Sequence, residues 1–196
     1  MRRIRRPRKL TLHRALKIGY LRNENKQAKR LKRFGYRIDR DLTNNNVLTA
    51  FNPFNNKVIT VVNGTNPLSP SDLWTDLRLA SGNLKGSDRY KDAESIYLKA
   101  KKKYEAPVTI VGHSLGGAIA TNMVLPSDRA IVYGAANSPF TKKKENLYSY
   151  RTSGDPFSAF DATARTMNNP ERNPIKLLNP IQPHNVSNIA DKPIFV

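Results

Sequence analysis

The sequence predicts an α/β protein with a mostly parallel central sheet and flanking helices. Three observations carry this expectation. Segments of strand composition alternate with segments of helical period through most of the chain. The run Val108-Thr109-Ile110-Val111 is short, continuous and apolar, the pattern of a strand covered on both faces. Finally, 196 residues with 38% hydrophobic content suffice for one core without covalent staples. With no cysteine in the chain, a disulfide framework and a cysteine zinc site are excluded.

From the amino terminus, Leu12, Ala15, Leu16 and Gly19 recur at helical spacing, as do Ala28, Leu31 and Phe34, so short basic helices are expected before Gly35. Val47 to Phe51 and Val58 to Asn63 are β-branched or aromatic runs. The turn-rich stretch Asn52-Pro53-Phe54-Asn55-Asn56 joins them as a hairpin. Ala93, Ile96, Tyr97, Ala100 and Tyr104 keep a 3.6-residue period, predicting an amphipathic helix from Tyr90 that ends before Pro107. Leu115 to Val124 reads as a helix of small residues able to lie close to a sheet. Ala130 to Tyr133 and Leu147 to Arg151 are further strands. The proline- and asparagine-rich stretch from Ala162 to Pro183 reads as a long loop region.

Charge divides the chain differently. Residues 1–40 hold 16 Lys and Arg against Glu24 and Asp39, a net of +14, whereas residues 41–196 hold 18 basic and 13 acidic side chains, a net of +5. The expectation is a basic amino-terminal arm over 1–40, flexible in its first nine residues, followed by a globular domain over 41–196. Such an arm attracts polyanions through counterion release without reading sequence, and an anionic membrane attracts it equally. Within it, few groups beyond Phe34 and Tyr36 are at hand for reading or stacking on bases. Arg5-Arg6-Pro7-Arg8-Lys9 also has the composition of a nuclear address, and an Arg-rich, acid-poor start that of a transit peptide. No apolar run reaches the roughly 20 residues of a membrane span, and no secretory signal is evident.

The most specific signal follows the central strand. Gly112-His113-Ser114-Leu115-Gly116-Gly117 satisfies Gly-x-Ser-x-Gly between a strand and a helix. A serine held on so sharp a turn is in a strained backbone conformation, and side chains two residues before or after it collide with their neighbours. Glycine at 112 and 116 removes those collisions. The helix behind the turn aims free N–H groups at developing negative charge.

A serine needs a base, and the chain has three histidines. His113 adjoins Ser114 with its side chain directed away on the tight turn, and His13 lies in the basic arm, which leaves His184 in Gln182-Pro183-His184-Asn185-Val186. The orienting carboxylate is expected between Ser114 and His184 in sequence, and Asp155, in the turn Ser153-Gly154-Asp155-Pro156 after a strand, is the first candidate with Asp161 in reserve. Two oxyanion donors are expected: the Leu115 N–H, and a group from the loop Val61-Val62-Asn63-Gly64-Thr65, where Thr65 offers its N–H and hydroxyl. No metal or cofactor is expected, because no histidine and carboxylate cluster has ligand spacing.

Together these segments resemble the class 3 lipase family of α/β hydrolases. The resemblance is carried by Gly112-His113-Ser114-Leu115-Gly116-Gly117-Ala118, by Asn63-Gly64-Thr65 followed by Asp72-Leu73-Trp74-Thr75-Asp76-Leu77, by Gly154-Asp155-Pro156 and by His184-Asn185-Val186-Ser187-Asn188. It spans about residues 36–190. It implies a Ser114, Asp155 and His184 triad with Thr65 and Leu115 as oxyanion donors, and acylation of Ser114 by a lipid ester at a membrane or micelle surface. Such compact forms are similar to those of some DNA viruses and mobile elements, where a virion role for the basic arm is the alternative to catalysis.

Two departures stand out. Family members usually carry Arg where this chain has Asn63, so the support of the oxyanion loop is expected to differ. Only 29 residues separate Asp155 from His184, so peripheral parts of an acyl groove are expected to be reduced. Pro67 to Leu84 takes the place of the family's lid, with Leu73, Trp74 and Leu77 either its apolar face or core residues.

Overall fold

A computed structural model describes residues 9–65, 83–155, 157–167, 186 and 194. The first eight residues, the lid-like segment with Leu73, Trp74 and Leu77, and His184 lie outside the described residues.

Among the described residues, seven strands form one sheet in sequential order. β1 (Arg37–Ile38) and β2 (Val47–Asn52) are antiparallel, and β2 forms the expected hairpin with β3 (Lys57–Val62). From β3 onward every pairing is parallel: β4 (Val108–His113), β5 (Arg129–Tyr133), β6 (Leu147–Thr152) and β7 (Ala164–Met167) follow in turn. β4 lies at the centre and is buried along its whole length, which explains its uninterrupted apolar sequence. β7 overturns the expectation of a loop throughout Ala162 to Pro183. It is a four-residue edge strand with two exposed positions, Arg165 and Thr166, so it has no apolar pattern to betray it.

The alternation of side chains along the strands divides the core into two layers. Val58, Val108, Ile110, Ala130 and Val132 face one cluster, which contains the buried side of α3 (Asp88–Tyr104) and α4 (Leu115–Met123). Ile59, Val61, Val111, Ile131 and Tyr133 face the other, under α1 (Leu12–Gly19) and α2 (Glu24–Lys32). Thr11 caps α1 and Asn23 caps α2, each accepting from the backbone N–H three residues on. Leu12, Leu16 and Leu31 are fully buried.

The charge step at residue 40 is therefore not a packing boundary. Leu10 to Tyr36 supply one of the two apolar layers while their cations, among them Lys17, Lys26, Lys29, Arg30 and Lys32, stay exposed. Phe34 and Tyr36, the expected stacking aromatics, are buried in that layer at 9% and 4% exposure, which removes them as groups for binding bases. Among the described residues, no helix is long and apolar enough to cross a membrane.

Candidate active site

The nucleophile turn is built where β4 passes into α4. Ser114 has φ 55° and ψ −126°, a conformation that L-residues avoid and that only the surrounding contacts hold in place. Its N–H donates to the Tyr133 carbonyl at 3.2 Å, and its own carbonyl accepts from Ala118 and Ala136 at 3.1 and 3.2 Å. A Cβ on Gly112 would stand 2.5 Å from the Gly116 carbonyl oxygen and 2.8 Å from the Gly117 Cα. These are backbone atoms, so only glycine fits, as the sequence spacing implied. Ser114 is 4% exposed and Leu115 begins the helix behind it with its N–H outside the helical hydrogen-bond ladder.

The loop Asn63-Gly64-Thr65, at the carboxyl end of β3, packs directly on this turn. A Cβ on Gly64 would lie 2.7 Å from the His113 carbonyl oxygen, 2.8 Å from Ser114 Cβ and 2.8 Å from the Tyr20 hydroxyl. Three elements hold the loop. Asn63 Nδ2 donates to the Gly19 carbonyl at 2.9 Å, and the Asn63 N–H donates to the Asn46 carbonyl at 2.9 Å. From the first turn of α3, the Arg89 guanidinium donates to the Asn63 carbonyl at 2.7 Å and to Thr65 Oγ1 at 3.3 Å. A guanidinium from the start of α3 thus holds this loop, and Asn63 ties it to the end of α1.

The two candidate carboxylates occupy distinct surroundings. Asp155, 3% exposed beyond β6, accepts from Ser158 Oγ at 2.6 Å and from the Phe157 N–H at 3.0 Å. It follows Gly154, whose φ of 81° turns the chain out of the strand. Asp161 accepts from Asn137 Nδ2 at 3.0 Å, Ser149 Oγ at 2.7 Å, and the Thr163 N–H and hydroxyl at 2.9 and 2.6 Å. Asp161 serves as the hub that fastens two loops to β6, whereas Asp155 lies close enough to Tyr133 for its charge to act there. Burial pushes the Tyr133 phenol up to about 12, against the hydrogen bond with Thr152, and the Asp155 charge adds to the rise.

The structure brings Ser114, Leu115, Gly64 and Thr65 together and sets Asp155 beyond the end of β6, with β5 between that strand and β4. His184 falls outside the described residues. The crystal structure of the Lip2 lipase from Yarrowia lipolytica is similar to this chain, with a TM-score of 0.53 at 15% identity, covering 78% of this chain and 71% of that one. The chain has a lipase-like α/β-hydrolase fold. No protein-family model matches the sequence. No curated protein matches it either.

Two residues of this candidate site carry no sequence signal of their own. Arg89 is one cation among the many of α3, and nothing in its spacing marks it. Tyr20, the C-cap of α1, sits in a segment whose composition speaks only of charge. His113, set aside above as a candidate base, is 1% exposed, stacks near Tyr133 with ring centroids 5.9 Å apart, and has Nδ1 2.7 Å from the Tyr20 hydroxyl.

Proposed function

We propose that the protein is a serine carboxylic-ester hydrolase acting on lipid acyl esters, of the lipase or phospholipase A kind. The observation that carries this is the strained Ser114 turn with the Gly64 loop packed against it. In this reading Ser114 Oγ attacks the ester carbonyl while His184 takes its proton, and Asp155 orients the imidazole. The carbonyl oxygen becomes an oxyanion held by the Leu115 N–H and by the Thr65 N–H or hydroxyl. Collapse of the tetrahedral adduct breaks the ester C–O bond, and the leaving alcohol receives the proton from His184. Water, deprotonated by His184, then attacks the acyl-Ser114 carbonyl and releases the acid. No metal or cofactor enters the scheme.

The exposed cations of α2 and its flanks, from Arg22 to Arg37, point to an anionic surface as the place of work. With Phe34 and Tyr36 buried, that surface offers phosphate contacts without aromatic stacking, which fits a bilayer of anionic lipid better than single-stranded nucleic acid. Vesicle binding is expected to fall steeply with salt, and salt-independent binding would sink the electrostatic account.

The deciding test compares wild type with Ser114→Ala on a short-chain nitrophenyl ester and on phospholipid vesicles. Turnover by wild type alone upholds the reading, and preference for vesicles names the substrate. A folded but inert wild type overturns it in favour of a basic, polyanion-binding protein on a lapsed hydrolase scaffold.

A further inference from the structure

The Tyr20 hydroxyl stands at the meeting point of three elements. It lies 2.8 Å from the Gly64 N–H, which donates to it, and 2.7 Å from His113 Nδ1. The first contact fixes the loop that precedes Thr65, and the second reaches the residue immediately before Ser114. Tyr20 itself belongs to the end of α1, beside Gly19, whose carbonyl accepts from Asn63. His113 is 1% exposed, Gly64 is buried with no room for a Cβ, and Tyr20 is half-buried.

The Tyr20 oxygen accepts from the Gly64 N–H and shares a second hydrogen bond with His113 Nδ1, so one hydroxyl ties both groups together whichever of the two carries the shared proton. Burial pushes the Tyr20 phenol well above its ordinary value, outweighing the Gly64 N–H and the Arg89 charge, both of which lower it. The hydroxyl therefore keeps its proton, and the chain Gly64 N–H to Tyr20 to His113 stays intact.

We infer that Tyr20 is a positioning residue for ester hydrolysis, and that its hydroxyl locks the oxyanion loop to the nucleophile turn by bridging Gly64 and His113. The inference rests on the hydrolase reading above. An oxyanion donor acts only when it is already aimed at the place where charge develops, and a displacement of about 1 Å costs on the order of 100-fold in rate. The Gly64 peptide leads directly into Thr65, so the pose of one sets the pose of the other. In this site that aim is set from the amino-terminal helix, by a residue with no contact to the ester.

Tyr20→Phe keeps the ring and removes the bridge. The expected result is a loss of roughly 10- to 100-fold in kcat with KM changed by less than about 3-fold. A slowing of similar size is expected for covalent labelling of Ser114 by a fluorophosphonate, whose adduct needs the same oxyanion donors. The imidazole nitrogen signature of His113 should shift on losing its Nδ1 partner. Tyr97→Phe is the control for mere loss of stability. It removes another buried phenol, bonded to Asp128 at the opposite end of the sheet, and should lower Tm without lowering kcat.

A Tyr20→Phe enzyme with wild-type kcat and labelling rate overturns the positioning role while leaving the hydrolase reading standing. An equal kcat loss in Tyr97→Phe also overturns it, since loss of stability then suffices. A wild type that neither turns over esters nor labels at Ser114 overturns the hydrolase reading itself, and the positioning role falls with it.

Discussion

Gly116 lies so close to Val62 that a Cβ on it would stand 2.2 Å from the Val62 carbonyl oxygen, and 2.5 Å from that of Asn63. The first turn of α4 and the end of β3 thus touch backbone to backbone, and neither can retreat without moving the oxyanion loop. Gly116→Ala is expected to lower stability by roughly 2–3 kcal/mol and to abolish Ser114 reactivity, read by thermal unfolding and by fluorophosphonate labelling. Gly154→Ala is the contrast. Nothing lies within 4 Å of its added Cβ, but φ is 81°, so a cost of about 1 kcal/mol from backbone strain is expected.

Arg89 holds the loop proposed to supply an oxyanion donor from the side opposite α1, through Asn63 and Thr65. Arg89→Lys keeps the charge but gives up the two-pronged geometry of the guanidinium. Its kcat should fall by roughly 10-fold with little change in KM, and Arg89→Ala should fall further, both measured on a soluble nitrophenyl ester.

Asp155 and Asp161 should separate by phenotype. Asp155→Asn is expected to fold and to lose on the order of 10⁴-fold in kcat, because an amide orients the base in the wrong tautomer. Asp161→Asn turns an amide toward the donors of Asn137 and Thr163, and should cost about 1–3 kcal/mol of stability with kcat preserved in the folded fraction. Denaturant midpoints and turnover on the same preparations decide it, and the reverse pattern would exchange their roles.

Asp39 gives the fold an acid sensitivity. Burial raises its carboxyl, but the hydrogen bonds from Lys103 and Tyr104, together with the Lys103 charge, outweigh burial and hold it below its ordinary value of 3.8. Lys103 Nζ and the Tyr104 hydroxyl both lie 2.7 Å from Asp39 Oδ2. A carboxylate whose folded value is depressed stabilises fully above its unfolded value, and that stability is lost as pH falls through the folded one. Asp39→Asn should therefore be destabilised at neutral pH, with the difference from wild type shrinking as pH is lowered past 3.8. Urea midpoints across that range test the sign.

The central part of the fold was legible because one chemical demand acts there at a time. β4 is apolar on both faces and so reads continuously, and Gly112 answers a collision with the backbone of Gly116 and Gly117 only a few residues on, whereas the approach of Gly116 to Val62 leaves no local trace. The helices of residues 12–32 were legible in their period but not in their role, since exposed Lys and Arg conceal an apolar stripe that covers Ile59, Val61 and Val111. β1 has two residues and β7 four, both at sheet edges, too short for a period to emerge. The hold on the oxyanion loop was invisible for another reason. Tyr20, Asn63, Arg89 and His113 meet only in three dimensions, and none has a partner at a spacing that a local pattern could register.

Tyr20 and His113 are separated by 93 positions, and Tyr20 and Gly64 by 44. Closing these spans is expected later than closing the hairpin and the shorter crossings from β4 to β7. During refolding, helical content and sheet pairing should return before Ser114 becomes reactive. The burst of labelling then marks the moment at which the amino-terminal helix docks, so that chemical competence reports a finished topology.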